Sequence, residues 1–415
     1  MKILGRLEFP GDKSISHRAV MLAALTNGDC IIKNISTADD VESTQQCLHA
    51  CGIISKKSGS TITITGGTLK LPDHPLDCGN SGTTARLLTG LLAGQGISAT
   101  LKGDQSLSRR PMDRIIRPLK LMGIAIDSDH GHLPIKLKLN SVSGIEYTLP
   151  VASAQVKSSI LLAGLGAREP TTVIEKTKTR DHTEIMLKNL GADLHIEDDH
   201  LTVSRLKSPL KPFCMTVPGD PSTAAFFAAG AALLNDSELI LKRVLANPTR
   251  NAFYDTLQQM GAGIERLNLY EECGELVSDL KITHQPLKSI TISGADIPRI
   301  IDELPILAVL ATQAEGTTIV NNAEELRVKE SDRIKAICTN LNRMGASITE
   351  LENGFIITGP TPLHGNLVTT FNDHRIAMAF SIAGLISQGS TQIDNIDCIR
   401  ISCPEFEDLL GTVTQ

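Results

Sequence analysis

LQQMGAGI, at Leu257–Ile264, is an apolar helical turn that ends in glycine and runs straight into an alternating strand. The same phrase stands at Cys47–Ile54 (CLHACGII), Leu119–Ile126 (LKLMGIAI), Leu187–Ile196 (LKNLGADLHI) and Leu341–Ile348 (LNRMGASI). Helices commonly close on a left-handed residue, which glycine adopts without steric cost. Gly52, Gly123, Gly191, Gly261 and Gly345 are therefore read as helix C-caps. Their near-regular spacing marks an internal repeat of about 70 residues.

A second phrase interleaves with the first: a small-residue apolar helix, a turn, then a β-branched strand. Its six copies are LAALTNGDCIIKN, LTGLLAGQGISATLKG, LLAGLGAREPTTVIEK, FAAGAALLNDSELILKR, LAVLATQAEGTTIVNN and FSIAGLISQGSTQIDN. Six βαβαββ-like repeats then account for the chain, an α/β (α+β) architecture with three repeats per domain. One domain is expected at 12–218 and the other at 1–11 plus 219–415. The last repeat ends at PEFEDLLGTVTQ with no strand behind it, and the chain opens with a strand, KILGRLEF, that has no helix before it. The opening strand is expected to complete the last repeat, so that the two ends meet in one domain.

The 415 residues and 44.5 kDa suit two or three domains. Net charge is −6, with no Trp, three Tyr and nine Phe. That balance argues against a protein that coats nucleic acid or anionic lipid and supplies few aromatics for stacking bases. The apolar run Thr223–Leu234 is too short for a membrane span and fits a buried helix. The opening MKILGRLEFPGDKS has no long apolar run, so no signal peptide is expected. The nine cysteines form no C-x-x-C pair and are read as free thiols in a reducing, cytoplasmic setting.

What precedes each small-residue helix carries the chemistry. The lead-ins are Gly11-Asp12-Lys13-Ser14, Gly79-Asn80-Ser81-Gly82-Thr83, Ser153-Ala154-Gln155, Gly219-Asp220-Pro221-Ser222-Thr223, Asp296-Ile297-Pro298 through Asp302, and Asn372-Asp373-His374-Arg375. These are capping residues. Helix starts carry unpaired N–H groups and about half a positive charge. If the two domains face each other, up to six of them converge into a preorganised site for phosphate and carboxylate.

FPGDKSISHR lacks the glycine that a P-loop needs immediately before Lys13, and no G-x-G-x-x-G follows a strand, so nucleotide cofactors are not indicated. Arg109 and Arg110 precede Pro111, read as beginning a helix. ELRVKESDRIKAI crowds Arg327, Lys329, Glu330, Asp332 and Arg333 together. On one helix Lys329 and Arg333 would be an i, i+4 pair of cations wanting an anion. No H-E-x-x-H or G-x-S-x-G occurs, and no metal is expected. His130, His132, His195 and His200 lie in Asp-rich turns and are read as surface residues, while His374 is read as holding a helix start.

Together PGDKSISHR, GNSGTTAR, GDQSLSRRPM, SAQVKS, GDPS, DELPILA, RVKESDR and NDHRIAM resemble the enolpyruvyl transferase family, in its shikimate branch. They run in family order from residue 10 to residue 378. The resemblance implies a two-domain inside-out α/β barrel with the active site in the cleft between the domains. It implies transfer of the enolpyruvyl group of phosphoenolpyruvate to the 5-hydroxyl of 3-phosphoshikimate, with release of phosphate, by addition and elimination. It further implies no cofactor, no metal, no nucleic acid, no membrane, and a cytoplasmic monomer.

By motif, the resemblance gives 3-phosphoshikimate to Lys13, Ser14, Arg18, Ser153, Ala154, Gln155, Thr179, Asp302 and Lys329. Phosphoenolpyruvate falls to Lys13, Asn80, Gly82, Arg110, Gln155, Arg333 and Arg375. Asp302, Glu330 and Lys13 are the implied catalytic groups: Asp302 takes the 5-hydroxyl proton and Glu330 handles the methyl proton. The family's C-terminal Lys is replaced by Ile401 beside Arg400, and an Asn of some members by a residue near Glu325. The sister branch acting on UDP-N-acetylglucosamine usually has a Cys five residues before the Arg-Pro of its mobile loop, where this chain has Gln105. A non-catalytic repeat scaffold would have no use for Asp302, Glu330 and three convergent arginines.

Overall fold

Gly52, Gly123, Gly191, Gly261 and Gly345 all take positive φ, from +83° to +102°. Each follows a helix and leads into a strand, so the repeat phrase is a real αβ corner. The computed structural model describes residues 1–138 and 141–415. After β1 (Leu4–Glu8), the first repeat runs α1 (Lys13–Ala23), β2 (Asp29–Lys33), α2 (Asp39–Ala50) and the hairpin β3 (Ile54–Ser58)/β4 (Thr61–Thr65). The second is β5 (Leu76–Asp77), α3 (Gly82–Gly94), β6 (Ala99–Lys102), the short α4 (Gln105–Ser108), α5 (Asp113–Leu121), β7 (Ala125–Asp129) and β8 (His132–Lys138). The third is β9 (Glu146–Thr148), α6 (Ala154–Gly164), β10 (Thr171–Ile174), α7 (His182–Asn189), β11 (Leu194–Glu197) and β12 (His200–Val203).

Beyond β13 (Cys214–Thr216), the fourth repeat holds α8 (Pro221–Leu233), β14 (Glu238–Leu245), α9 (Ala252–Gln259), β15 (Gly263–Glu272) and β16 (Glu275–Thr283). The fifth holds β17 (Thr291–Ile292), the short α10 (Ile297–Ile300), α11 (Leu304–Gln313), β18 (Gly316–Val320), α12 (Arg333–Arg343), β19 (Ser347–Leu351) and β20 (Gly354–Gly359). The sixth is abbreviated to β21 (Leu367–Val368), α13 (His374–Ile386), β22 (Gln392–Ile393) and α14 (Phe406–Val413).

Five repeats build the same four-stranded sheet. The strand after the first helix pairs in parallel with a lead strand and antiparallel with the hairpin, as in β5-β6-β8-β7 and β17-β18-β20-β19. The lead strands of the first and fourth repeats are exchanged. β13, which precedes α8 in sequence, completes the sheet of β2, while β1, which precedes α1, pairs with β14. The opening strand thus completes the fourth repeat and not the last, correcting the sequence expectation. The ends still meet: Ile3 bridges Thr414, and Lys2 exchanges backbone hydrogen bonds with Gln415.

The chain divides into two compact units. The N-terminal unit comprises Gly11–Val217 with Glu272–Glu275, and the C-terminal unit comprises Met1–Pro10, Pro218–Glu271 and Leu276–Gln415. In the C-terminal unit α8, α11 and α13 pack on one another as the core. Every residue of α8 from Pro221 to Ala232 is buried, as expected of a helix apolar on all faces. In the N-terminal unit α3 packs on α6 and α1. The strands cover these helices with one face, as the alternating burial of β8 displays. Seven cysteines are buried, Cys214 and Cys273 are exposed, and all nine are free thiols. Among the described residues no helix is long and apolar enough to cross a membrane.

Candidate active site

Five of the six small-residue helices are capped as their lead-ins predict. The side chains of Asp12, Ser81, Ser153, Asp220 and Asp373 accept from backbone N–H groups in the first turns of α1, α3, α6, α8 and α13. The exception is α11. Its cap position is Glu303, which makes no capping bond, and the neighbouring Asp302 reaches Lys329 and Arg333.

In the N-terminal unit, hydrogen bonds tie the three helix starts together. Gln155 on α6 donates to the Thr83 hydroxyl on α3 at 3.0 Å and accepts from Arg86 at 2.6 Å. Arg18 on α1 donates to Ser158 on α6 at 2.9 Å, to Thr183 on α7 at 2.7 Å, and back to the Ser14 carbonyl. A buried chain of short contacts runs His17–Thr44–Thr84–Ser81. Burial, then the charges of Lys13 and Arg18, holds the His17 imidazole well below its ordinary range and therefore neutral.

The cationic side chains at these starts are placed by carboxylates and amides. Lys13 Nζ pairs with Asp40 at 2.9 Å. Arg110, buried, donates to the Asn80 carbonyl oxygen at 2.6 Å, and the Asn80 amide donates to Asp104 at 2.7 Å. Arg109 beside it is exposed. The helix after this pair begins at Asp113, two residues later than Pro111. Thr179 is buried, and its hydroxyl and N–H both donate to Glu175. That hydroxyl is engaged by a carboxylate, which weighs against the phosphate contact expected for it.

In the C-terminal unit the geometry centres on Arg333, whose side chain is 1% exposed. It meets Asp373 at 2.8 Å, Glu330 at 2.6 Å and Asp302 at 3.4 Å. Burial would lower its pKa, but those carboxylates outweigh that and hold it above its ordinary value. Lys329 Nζ lies 3.8 Å from Asp302. Lys329 and Arg333 are not a helical i, i+4 pair, correcting the sequence reading. Glu324–Val328 is a 3₁₀ turn, Lys329 is extended, and α12 starts only at Arg333. Arg327 instead anchors this loop through Asp332 and Glu350. Arg375 Nη1, buried without a hydrogen bond, lies 3.7 Å from Glu303 Oε1. Glu303 also accepts from Ser222 at the start of α8, so this unit's three helix starts also converge.

Sequence reasoning missed Arg86, Glu303, Ser158 and Thr183, which hold the site from behind. Arg86, Ser158 and Glu303 sat inside quoted motifs, but nothing in their spacing says that they bridge helices. His130 and His195 are well exposed and His200 half so, as expected of surface residues, but only His130 lies in a turn: His132, His195 and His200 stand in β8, β11 and β12. His374 is the buried first residue of α13, Arg400 is exposed, and among the described residues no metal-binding cluster is found.

A Cβ on Gly82 would lie 2.9 Å from Arg86 Nη1 and 3.6 Å from Arg110 Nη1. Gly82→Ala should preserve thermal stability, since alanine favours a helix. Displacing the Arg86 guanidinium, and crowding the space beside Arg110, should raise KM for an anion bound there by about tenfold, equivalent to ~1.4 kcal/mol. An unchanged KM for every substrate would remove Gly82 from the site.

Two helix-start clusters rich in arginine, lysine and carboxylate, on a sixfold βαβαββ frame, define an enolpyruvyl transferase fold. The enolpyruvyl transferase NikO from Streptomyces tendae matches it with TM-score 0.79 at 18% identity, over 99% of this chain and 95% of that one. At that identity the likeness shows the fold alone. The chain itself belongs to the EPSP synthase (3-phosphoshikimate 1-carboxyvinyltransferase) family, whose model matches residues 1–410. It is 48% identical to the 3-phosphoshikimate 1-carboxyvinyltransferase of Thermodesulfovibrio yellowstonii over 98% of this chain and 96% of the relative. It is 45% identical to that of Oceanobacillus iheyensis over 99% and 96%. The EPSP synthase of Acinetobacter baumannii superimposes with TM-score 0.89 at 39% identity, covering 99% of this chain and 96% of that chain.

Proposed function

We propose that the protein transfers the enolpyruvyl group of phosphoenolpyruvate to the 5-hydroxyl of 3-phosphoshikimate, releasing phosphate. The observation that carries this reading, beside family membership, is the setting of Asp302, which stands outside the cap position of α11. It lies beside Lys329 and Arg333, with Glu330 on the same guanidinium. Two carboxylates on one cationic cluster suit a reaction that moves protons at two atoms, the acceptor hydroxyl and the donor's C3.

In this reading Lys13, Ser14, Arg18, Ser153, Ala154 and Gln155 hold 3-phosphoshikimate, and Asn80, Gly82 and Arg110 hold the donor phosphate. Thr179 closes the loop behind the acceptor through Glu175 and leaves the phosphate to its neighbours. Asp302 takes the hydroxyl proton as oxygen attacks C2, Lys329 orients that hydroxyl, and protonated Glu330 gives C3 the proton that makes it a methyl. Glu330 removes the methyl proton as phosphate leaves. Arg333 and Arg375 clamp the donor, since guanidinium matches carboxylate and phosphate in bidentate fashion. A donor anion on Arg333 would displace the Glu330 carboxylate and free it to work on C3. The reading takes the protein to be a cytoplasmic monomer that needs no cofactor.

The test is phosphate release from phosphoenolpyruvate without added metal, with 3-phosphoshikimate or UDP-N-acetylglucosamine as acceptor. Release only with 3-phosphoshikimate is expected. Release only with the sugar nucleotide would void the acceptor residues, and no release with either from folded protein would sink the proposed activity.

A further inference from the structure

We infer that Lys157 and Glu175 are a positioning pair for the acceptor side of the site, an inference that rests on the function proposed above. Lys157, on the second turn of α6, is fully buried, an expensive place for an ammonium group unless it is paired. Its Nζ meets Glu175 at the end of β10 at 2.9 Å and Glu184 on α7 at 2.6 Å. Glu175 uses its other oxygen to accept the N–H of Thr179 at 2.9 Å, together with the Thr179 hydroxyl. One carboxylate thus closes the turn from residue 175 to residue 179 and ties it to α6.

The same network reaches Arg18. Ser158, next to Lys157, and Thr183, next to Glu184, are bonded to each other at 2.7 Å, and each accepts from the Arg18 guanidinium. Lys157 joins the two elements, α6 and α7, that aim this arginine. Stability alone gives no reason for the arrangement, because a buried ion pair repays its own desolvation poorly and apolar side chains of equal volume would serve as well. What charged hydrogen bonds add is direction. Here that direction falls on the loop 175–181 and on Arg18. The donor-side pair Asn80 and Arg110 is built on other elements, the start of α3 and the turn at Gln105–Ser108.

Glu175→Gln preserves volume but sets an NH₂ donor against either Lys157 or the Thr179 N–H. In the full chain, KM for 3-phosphoshikimate should rise about five- to tenfold, the scale of one lost hydrogen bond. KM for phosphoenolpyruvate should stay within about twofold and kcat at saturation should stay near wild type. Amide exchange across residues 176–181 should accelerate, a readout independent of turnover. If this variant does not fold, Glu175→Asp, which keeps the charge and shortens its reach, should give the same split more weakly. Two KM values that rise together, or neither rising, would overturn the pairing. Wild-type protein inactive with 3-phosphoshikimate would instead sink the proposed function, and protection at 176–181 would still report whether the pair holds the loop.

Discussion

Asp302→Asn and Glu330→Gln should each lower kcat by about 10²–10⁴-fold, the usual worth of a general acid–base group, and leave the protein folded. Neither carboxylate stands at a cap position: Glu303 holds that place for α11 and Asp332 for α12. Their side chains are 18% and 21% exposed, and Arg333 keeps Asp373 when either is neutralised. Each amide keeps the size of the acid it replaces, so 3-phosphoshikimate should bind nearly as well as to wild type. Rapid-quench turnover with calorimetric binding of 3-phosphoshikimate separates the two effects. Turnover near wild type in either variant removes that residue's role. The double variant adds a second reading: if both groups serve one proton-transfer sequence, its loss should fall well short of the product of the single losses.

Much of this site was legible in the chain because its residues sit at helix starts, where cap, glycine and cation leave a local signature. The repeat was legible for the same reason: Gly52 and its four counterparts each mark a corner that needs positive φ. What stayed hidden is non-local. Nothing near KILGRLEF says that its partner is β14, since both the fourth and the sixth repeats offer an open edge and only packing chooses. ESDR reads as one helix by spacing, yet Asp332 breaks it by capping α12, and so Glu330 and Arg333 meet across a cap. Glu303 is invisible for a related reason: it looks like the cap of α11, and its work is on Ser222 and Arg375.

Arg333→Met should destabilise the C-terminal unit by about 3–5 kcal/mol, the cost of leaving buried charge without its partner. Asp373, fully buried, is the group stranded most, because its two oxygens are held by Arg333, Ser331 and the start of α13. A methionine of similar length fills the space, so the loss is electrostatic and should depend on pH. Without the guanidinium, a carboxylate left charged in the interior is relieved of its desolvation cost when it takes up a proton. A folded state that binds more protons than the unfolded state gains stability as pH falls. The deficit against wild type should therefore be largest at neutral pH and shrink as the pH is lowered toward about 5. Urea unfolding of both proteins across that range measures it directly. A deficit of the same size throughout would mean that packing around Arg333, and not its charge, was lost. Neutralising the stranded group in the double variant Arg333→Met/Asp373→Asn should then recover part of the stability at neutral pH and none of the activity, because the donor would have lost its clamp.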